Sequence, residues 1–293
     1  MLPAWLTRSV EGIQVARTLG AVYFRPEAVL LDRWDGRCLS CDLARGVGLK
    51  LVLTVRTTGP GPSPPPRDLA SYRRTLREVL DRLRPAVLVI ENEENSTLFY
   101  TGTPEEYGGE LTAACQVAHE RDVPCAPGGL VSTLVALLVY DHYLSTGQPS
   151  AAADFARRAF AAEQLQHLGS PRAQDQIRKG KALLAAYRRA GADYVNFHWY
   201  IRDPRALEEA VAFLQAQVGR PALTNEIGQL TDDPAWTTAV MAAVVNAGLP
   251  VAIWFGLDGP RARGLVDPDG RLRPAGLAFQ QFIREQFPSP TRR

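Results

Sequence analysis

The chain is poor in lysine. Only Lys50, Lys179 and Lys181 occur among 33 basic residues, the remainder being arginine, and the formal net charge is +2. So small an excess excludes a concentrated basic face, and no nucleic-acid partner is expected. Long apolar runs are also missing. The most apolar helix-like run, Leu130 to Tyr140, falls far short of the roughly 20 residues of a membrane span. No membrane partner is expected either.

Phosphate-binding loops are absent, with no G-x-G-x-x-G between a strand and a helix and no P-loop sequence. The 4 histidines are scattered without an HxH pair, and Cys38 and Cys41 form a CxxC with no second pair to complete a zinc site. No metal or cofactor is expected. The CxxC reads as a chance pair, and Cys115 and Cys125 fall in apolar helical and strand patterns that suit buried thiols, so nothing demands a disulfide. The start, MLPAWLTRSVEGIQ, lacks the basic head and apolar core of an export signal. The chain as it stands is expected in the cytoplasm, and secretion would need a segment upstream.

What is present is a repeated alternation. Short apolar runs at Ala21–Phe24, Leu49–Val55, Ala86–Ile90, Val123–Ala126, Tyr194–Phe197, Ala222–Thr224 and Val251–Phe255 each end in polar or Gly/Pro residues and precede a helical pattern. Parallel strands buried on both faces read this way. Helical spacing covers 68–83, 105–121, 172–190, 204–217 and 236–247. Regular βα alternation in 293 residues predicts an α/β protein of one domain, a closed barrel or an open doubly wound sheet. The missing dinucleotide fingerprint favours the barrel.

Two insertions interrupt the alternation. TTGPGPSPPP after Val55 predicts a stiff extended loop, and 129–169 predicts two helices, 130–144 and 151–168. Both are expected at the active-site face, as cleft walls or a lid or, equally, as ordinary loop decoration.

Two strands end in the same way. AVLVIENEENS and PALTNEIG each run from buried apolar residues into an Asn-Glu pair, Asn92-Glu93 and Asn225-Glu226. Carboxylates at strand ends need polar surroundings, and two facing carboxyl groups are the equipment of glycoside hydrolysis. Glu91 and Glu94 compete with Glu93, and strand alternation would let Glu91 share its direction.

At these positions the sequence resembles the clan of retaining glycoside hydrolases on (β/α)8 TIM barrels, clan A. The resemblance implies Glu93 as general acid/base ending strand four and Glu226 as nucleophile ending strand seven. Around them it implies Arg25 of YFRP near the nucleophile, Asn92 beside the acid/base, His198 and Tyr200 of FHWY as orienting groups, and Trp254 of AIWFG as a sugar platform. A carbohydrate substrate cleaved at a β-glycosidic bond by double displacement is the implied activity. The alternative is a non-catalytic carbohydrate-binding barrel with a cleft of Trp199, Tyr200 and Trp254. One departure stands out: the first apolar run already matches strand two, so strand one is missing or is a rudiment at Leu2 to Leu6. A seam left there would need covering by a loop or by self-association.

Overall fold

The computed structural model describes residues 8–258 and 263–288. Leu2 to Leu6, the expected rudiment of strand one, lies outside them. Parallel strands follow one another around a barrel wall in chain order: β1 (Tyr23–Phe24) and β2 (Val29–Leu30) on β3 (Lys50–Arg56), then β4 (Val87–Ile90) and β5 (Cys125–Pro127). A second group, β6 (Val195–Trp199), β7 (Ala222–Ile227) and β8 (Ala252–Trp254), continues it. The bridge between Leu130 and Phe197 and the bond from Asp193 N to Cys125 O at 2.9 Å join the two groups.

All of the apolar runs become strand, and one stave is split. β1 and β2 lie along the same strand, β3, separated by Arg25 to Ala28. Pro26 has no N–H to give a ladder, which suits it to the interruption. Arg25 is thereby freed from regular pairing and turns inward.

The period of two divides each strand between two cores. Val52, Val87, Val89, Ala126, Leu223 and Val251 fill the barrel interior. Leu51, Leu53, Val55, Leu88 and Ile90 face the helices. Those helices are α1 (Val10–Thr18), α2 (Leu39–Gly46), α3 (Leu69–Leu83), α4 (Pro104–His119), α5 (Ser132–Ser145), α6 (Pro149–Ala159), α7 (Ala162–Leu165), α8 (Pro171–Ala190), α9 (Pro204–Val218), α10 (Pro234–Asn246) and α11 (Pro274–Gln286). None is long and apolar enough to cross a membrane.

Three expectations are corrected. The helix read over 151–168 breaks at Phe160 and Ala161, both extended, because burying the Phe160 ring against the core outweighs continuing the helix. The α5–α6 hairpin packs on α8 and α9, with Arg158 paired to Asp203 and Glu209, so it thickens the helical ring rather than forming a lid. The cysteines are bonded, Cys38 to Cys41 and Cys115 to Cys125. Their Cα atoms lie 5.2 and 5.3 Å apart, within bridging range. A helix cap places the first pair one turn apart, and the meeting of α4 with β5 places the second.

Between β8 and β1 no pairing occurs among the described residues. Helices cover this seam. Leu19 after α1, Leu265 and Ala275 of α11 form a buried cluster, and Ile283 packs directly on Gly20. Gln280 Nε2 donates to Thr18 O at 2.9 Å.

Candidate active site

Regular structure ends at Ile90, and the chain then adopts a left-handed backbone at Glu91 (φ 64°) and Glu93 (φ 44°). Non-glycine residues are uncommon in that region and persist where their surroundings hold them. Here several bonds do so. Glu91 Oε1 accepts from Thr57 N at 2.6 Å and its other oxygen faces Arg56 Nε at 3.4 Å. Ile90 O accepts from the Tyr107 hydroxyl at 2.8 Å, Glu93 O accepts from Ser96 N at 2.7 Å, and Asn95 O accepts from Lys179 Nζ at 3.0 Å.

This turn separates the competing glutamates. Glu91 is fully buried beside Arg56 and Glu110, and burial pushes its carboxyl up to about 7. Glu94 is buried on the other side, bonded to the Tyr187 hydroxyl, and burial pushes it up to about 7 as well. Glu93 alone enters the barrel mouth. Strand alternation does not carry past Ile90, so Glu91 and Glu93 part company.

Across the mouth, β6 and β7 supply the facing groups. Asn196, His198 and Tyr200 share the inward period of β6, whereas Phe197 and Trp199 face the helices. Trp199 is fully buried, so it lines no cleft. His198 Nδ1 lies 2.8 Å from Glu93 Oε1 and 3.8 Å from Glu226 Oε1. Tyr200 OH donates to Glu226 Oε1 at 2.8 Å. The Arg263 guanidinium lies 5.4 Å from the centre of that phenol ring, and the Phe255 ring stands nearly perpendicular to it at 6.2 Å between centres.

Arg25 is the hub of the opposite side. Its Nη1 donates to Glu226 Oε2 at 2.7 Å and to Asn225 O at 3.1 Å, its Nη2 to Asn92 Oδ1 at 2.6 Å, and its Nε to Thr54 Oγ1 at 3.1 Å. Burial alone would raise the Glu226 carboxyl. The charge of Arg25, that of His198 when its ring is doubly protonated, and the bonds from Tyr200 and Arg25 outweigh it and hold Glu226 at about 2. Tyr200 is pushed well up by burial and by Glu226, and stays a donor.

One ligand-type atom from each of Glu93, His198 and Glu226 lies within 4.8 Å of the others. That spacing would suit a metal ion, but Arg25 already sets a permanent positive charge 2.7 Å from Glu226. Hydrogen bonds join Arg25, Asn92, Tyr200 and Glu226 in one set and Glu93 with His198 in another, and the two sets meet where His198 Nδ1 lies 3.8 Å from Glu226 Oε1. Trp254 is not bonded to any of these six among the described residues. Its Nε1 donates to Gln229 Oε1 at 2.7 Å and its ring meets Phe279 edge-on at 5.7 Å, beside the seam cluster. The sequence reading missed Thr54, Asn196 and Gln229. Asn196 carried a signal, a polar residue in step with His198 and Tyr200 on an apolar strand.

No protein-family model matches the chain, and no curated protein matches it. Solved structures do. The fold is similar to that of a glucosidase from Croceicoccus marinus, at 14% identity and TM-score 0.65, over 93% of this chain and 63% of that one. This chain thus spans less than two thirds of that glucosidase. A subgroup II endo-β-1,3-glucanase of GH128 from Sorangium cellulosum is similar at 15% identity and TM-score 0.59, over 92% of this chain and 93% of that one. A subgroup VII oligosaccharide-binding protein of GH128 from Trichoderma gamsii is similar at 11% identity and TM-score 0.52, over 94% and 93%. At such identities the likeness establishes the barrel fold.

Proposed function

We propose that the protein is a retaining glycoside hydrolase that cleaves a β-glycosidic bond in an oligo- or polysaccharide. The observation that carries this reading is the Glu93–Glu226 pair, with oxygens within 4.8 Å of each other across a mouth where Glu226 is held ionised. Retaining enzymes keep their carboxyl groups about 5–5.5 Å apart, and inverting enzymes leave about 6.5–9.5 Å for a water.

In this reading the reaction runs in two displacements. Ionised Glu226 attacks the anomeric carbon while Glu93 gives its proton to the departing glycosidic oxygen, so the C–O bond breaks as an ester to Glu226 forms. Water then attacks the anomeric carbon, Glu93 takes its proton, and the ester is released with the first configuration restored. Arg25 and Tyr200 keep the nucleophile aimed and charged between turnovers. The fold likeness to an endo-β-1,3-glucanase makes β-1,3-glucan the first polymer to offer.

The test uses a 2-fluoro aryl β-glycoside panel with peptide mass spectrometry. A glycosyl adduct on Glu226, its loss in Glu226→Ala, and a Glu93→Ala variant slowed by about 10²–10⁴-fold but partly rescued by azide are expected. First-formed product of inverted configuration would overturn the retaining assignment. Sugar binding without any turnover would favour the second reading, a binding barrel, which the similar fold of the oligosaccharide-binding protein motivates.

A further inference from the structure

The ring of His198 has two partners, and the second decides what the first can do. Nε2 lies 3.0 Å from Asn225 Oδ1, and Nδ1 lies 2.8 Å from Glu93 Oε1. Asn225 is in turn gripped by Asn196. The Asn225 backbone N–H donates to Asn196 Oδ1 at 3.1 Å, so the opposite end of that amide is Nδ2, which donates to Pro127 O and to Asn225 Oδ1, both at 2.8 Å. A backbone N–H can only donate, so the polarity of the whole chain is set at its far end.

Asn225 Oδ1 is therefore an acceptor, and the His198 Nε2 facing it must carry a proton. Turning the Asn225 amide over would satisfy its Nδ2, which is buried without a partner, but would set two NH₂ groups face to face. Backbone packing holds the ring in place. Gly129, at φ +104°, leaves so little room that a Cβ there would fall 2.7 Å from His198 Nε2 and 3.2 Å from Asn196 Nδ2.

We infer that Asn196 and Asn225 are positioning residues that keep the His198 proton on Nε2, so that Nδ1 and Glu93 Oε1 hold a single proton between them, the one delivered to the leaving group. With Nε2 protonated, a neutral ring presents a bare Nδ1 lone pair, and Glu93 must be the acid that points at it. A neutral ring of the opposite tautomer would present an Nδ1–H and hold Glu93 as an acceptor, unable to donate toward substrate. The inference rests on the glycosidase reading for its consequence, but the tautomer itself does not.

The test is nitrogen-15 NMR of histidine-labelled protein, with His198 assigned by its loss in His198→Gln. Wild type is expected to keep a protonated Nε2 throughout the neutral range. Asn225→Leu, which removes the acceptor, is expected to move the neutral ring to the Nδ1–H form, and Asn225→Asp, which retains an acceptor, to restore Nε2–H. In kinetics, Asn225→Leu should lose about 10²-fold on aryl glycosides with poor leaving groups and little on dinitrophenyl glycosides, because only the former need the acid. A neutral wild-type ring protonated on Nδ1 overturns the inference even if Asn225→Leu fails to fold, and so does equal loss on both leaving groups in a folded variant. If no glycoside is turned over by any form, the glycosidase reading fails while the NMR result still decides the tautomer.

Discussion

Glu91, Glu93 and Glu94 crowd the end of β4, and their surroundings assign them different chemistry. Glu94 is enclosed, with the Tyr187 hydroxyl on one oxygen and no hydrogen-bond partner on the other. Its carboxyl rises from an ordinary 4.5 to about 7 because burial penalises the charge. A raised carboxyl binds its proton more tightly in the folded state, so the associated stability is complete below pH 4.5 and is lost as pH climbs through about 7. Glu226 behaves in the opposite sense, its contribution present above 4.5 and lost as pH falls through about 2. Glu94→Gln should therefore flatten the fall in urea stability between these two Glu94 values by on the order of 3 kcal/mol. An unchanged profile would show that Glu94 is ionised inside the fold. That Glu93 rather than Glu91 reaches the mouth was legible only as a motif, because the deciding left-handed turns are held by Thr57, Arg56, Tyr107 and Lys179, all distant in sequence.

At the scale of elements, local signals did most of the work. Asp68, Thr103, Ser170, Asp203 and Asp233 each cap a helix through a side-chain oxygen, four of them followed by proline at the first turn. Thr103 and Glu106 complete a reciprocal capping box. Such devices are written within a few residues, so helix limits could be read closely. The disulfides could not be, because spacing says nothing about whether α4 brings Cys115 against β5. Closing the short loop from Cys115 to Cys125 restricts the unfolded chain, and a Cys115→Ala/Cys125→Ala double variant should lose about 2–3 kcal/mol in denaturant titration. An unmoved midpoint would mean the bond adds no stability.

For the whole molecule, the decisive feature is the seam between β8 and β1. Backbone groups there find no strand partner among the described residues, yet the outside is closed by α1 and α11 through Leu19, Leu265, Ala275 and Ile283. Leu19 is nearly fully buried in that cluster. Leu19→Ala should cost about 2–5 kcal/mol and, by loosening the cover, raise concentration-dependent self-association measured by light scattering. A loss below about 1 kcal/mol with no association would show that these helices do not secure the seam.

Arg25, His198 and Tyr200 were expected only from the family resemblance; what the sequence by itself determined was the alternation of strands and helices and the two Asn-Glu strand ends. These are properties of period, local capping and buried polarity, and each is written over a handful of neighbouring residues. Only the tertiary structure decided which glutamate enters the mouth, that Trp199 is core, that Trp254 sits by the seam, and that Asn196 acts through Asn225 on His198. Those outcomes depend on groups meeting from strands far apart in the chain, where one hydrogen-bond donor fixed at a distance sets the direction of every bond that follows.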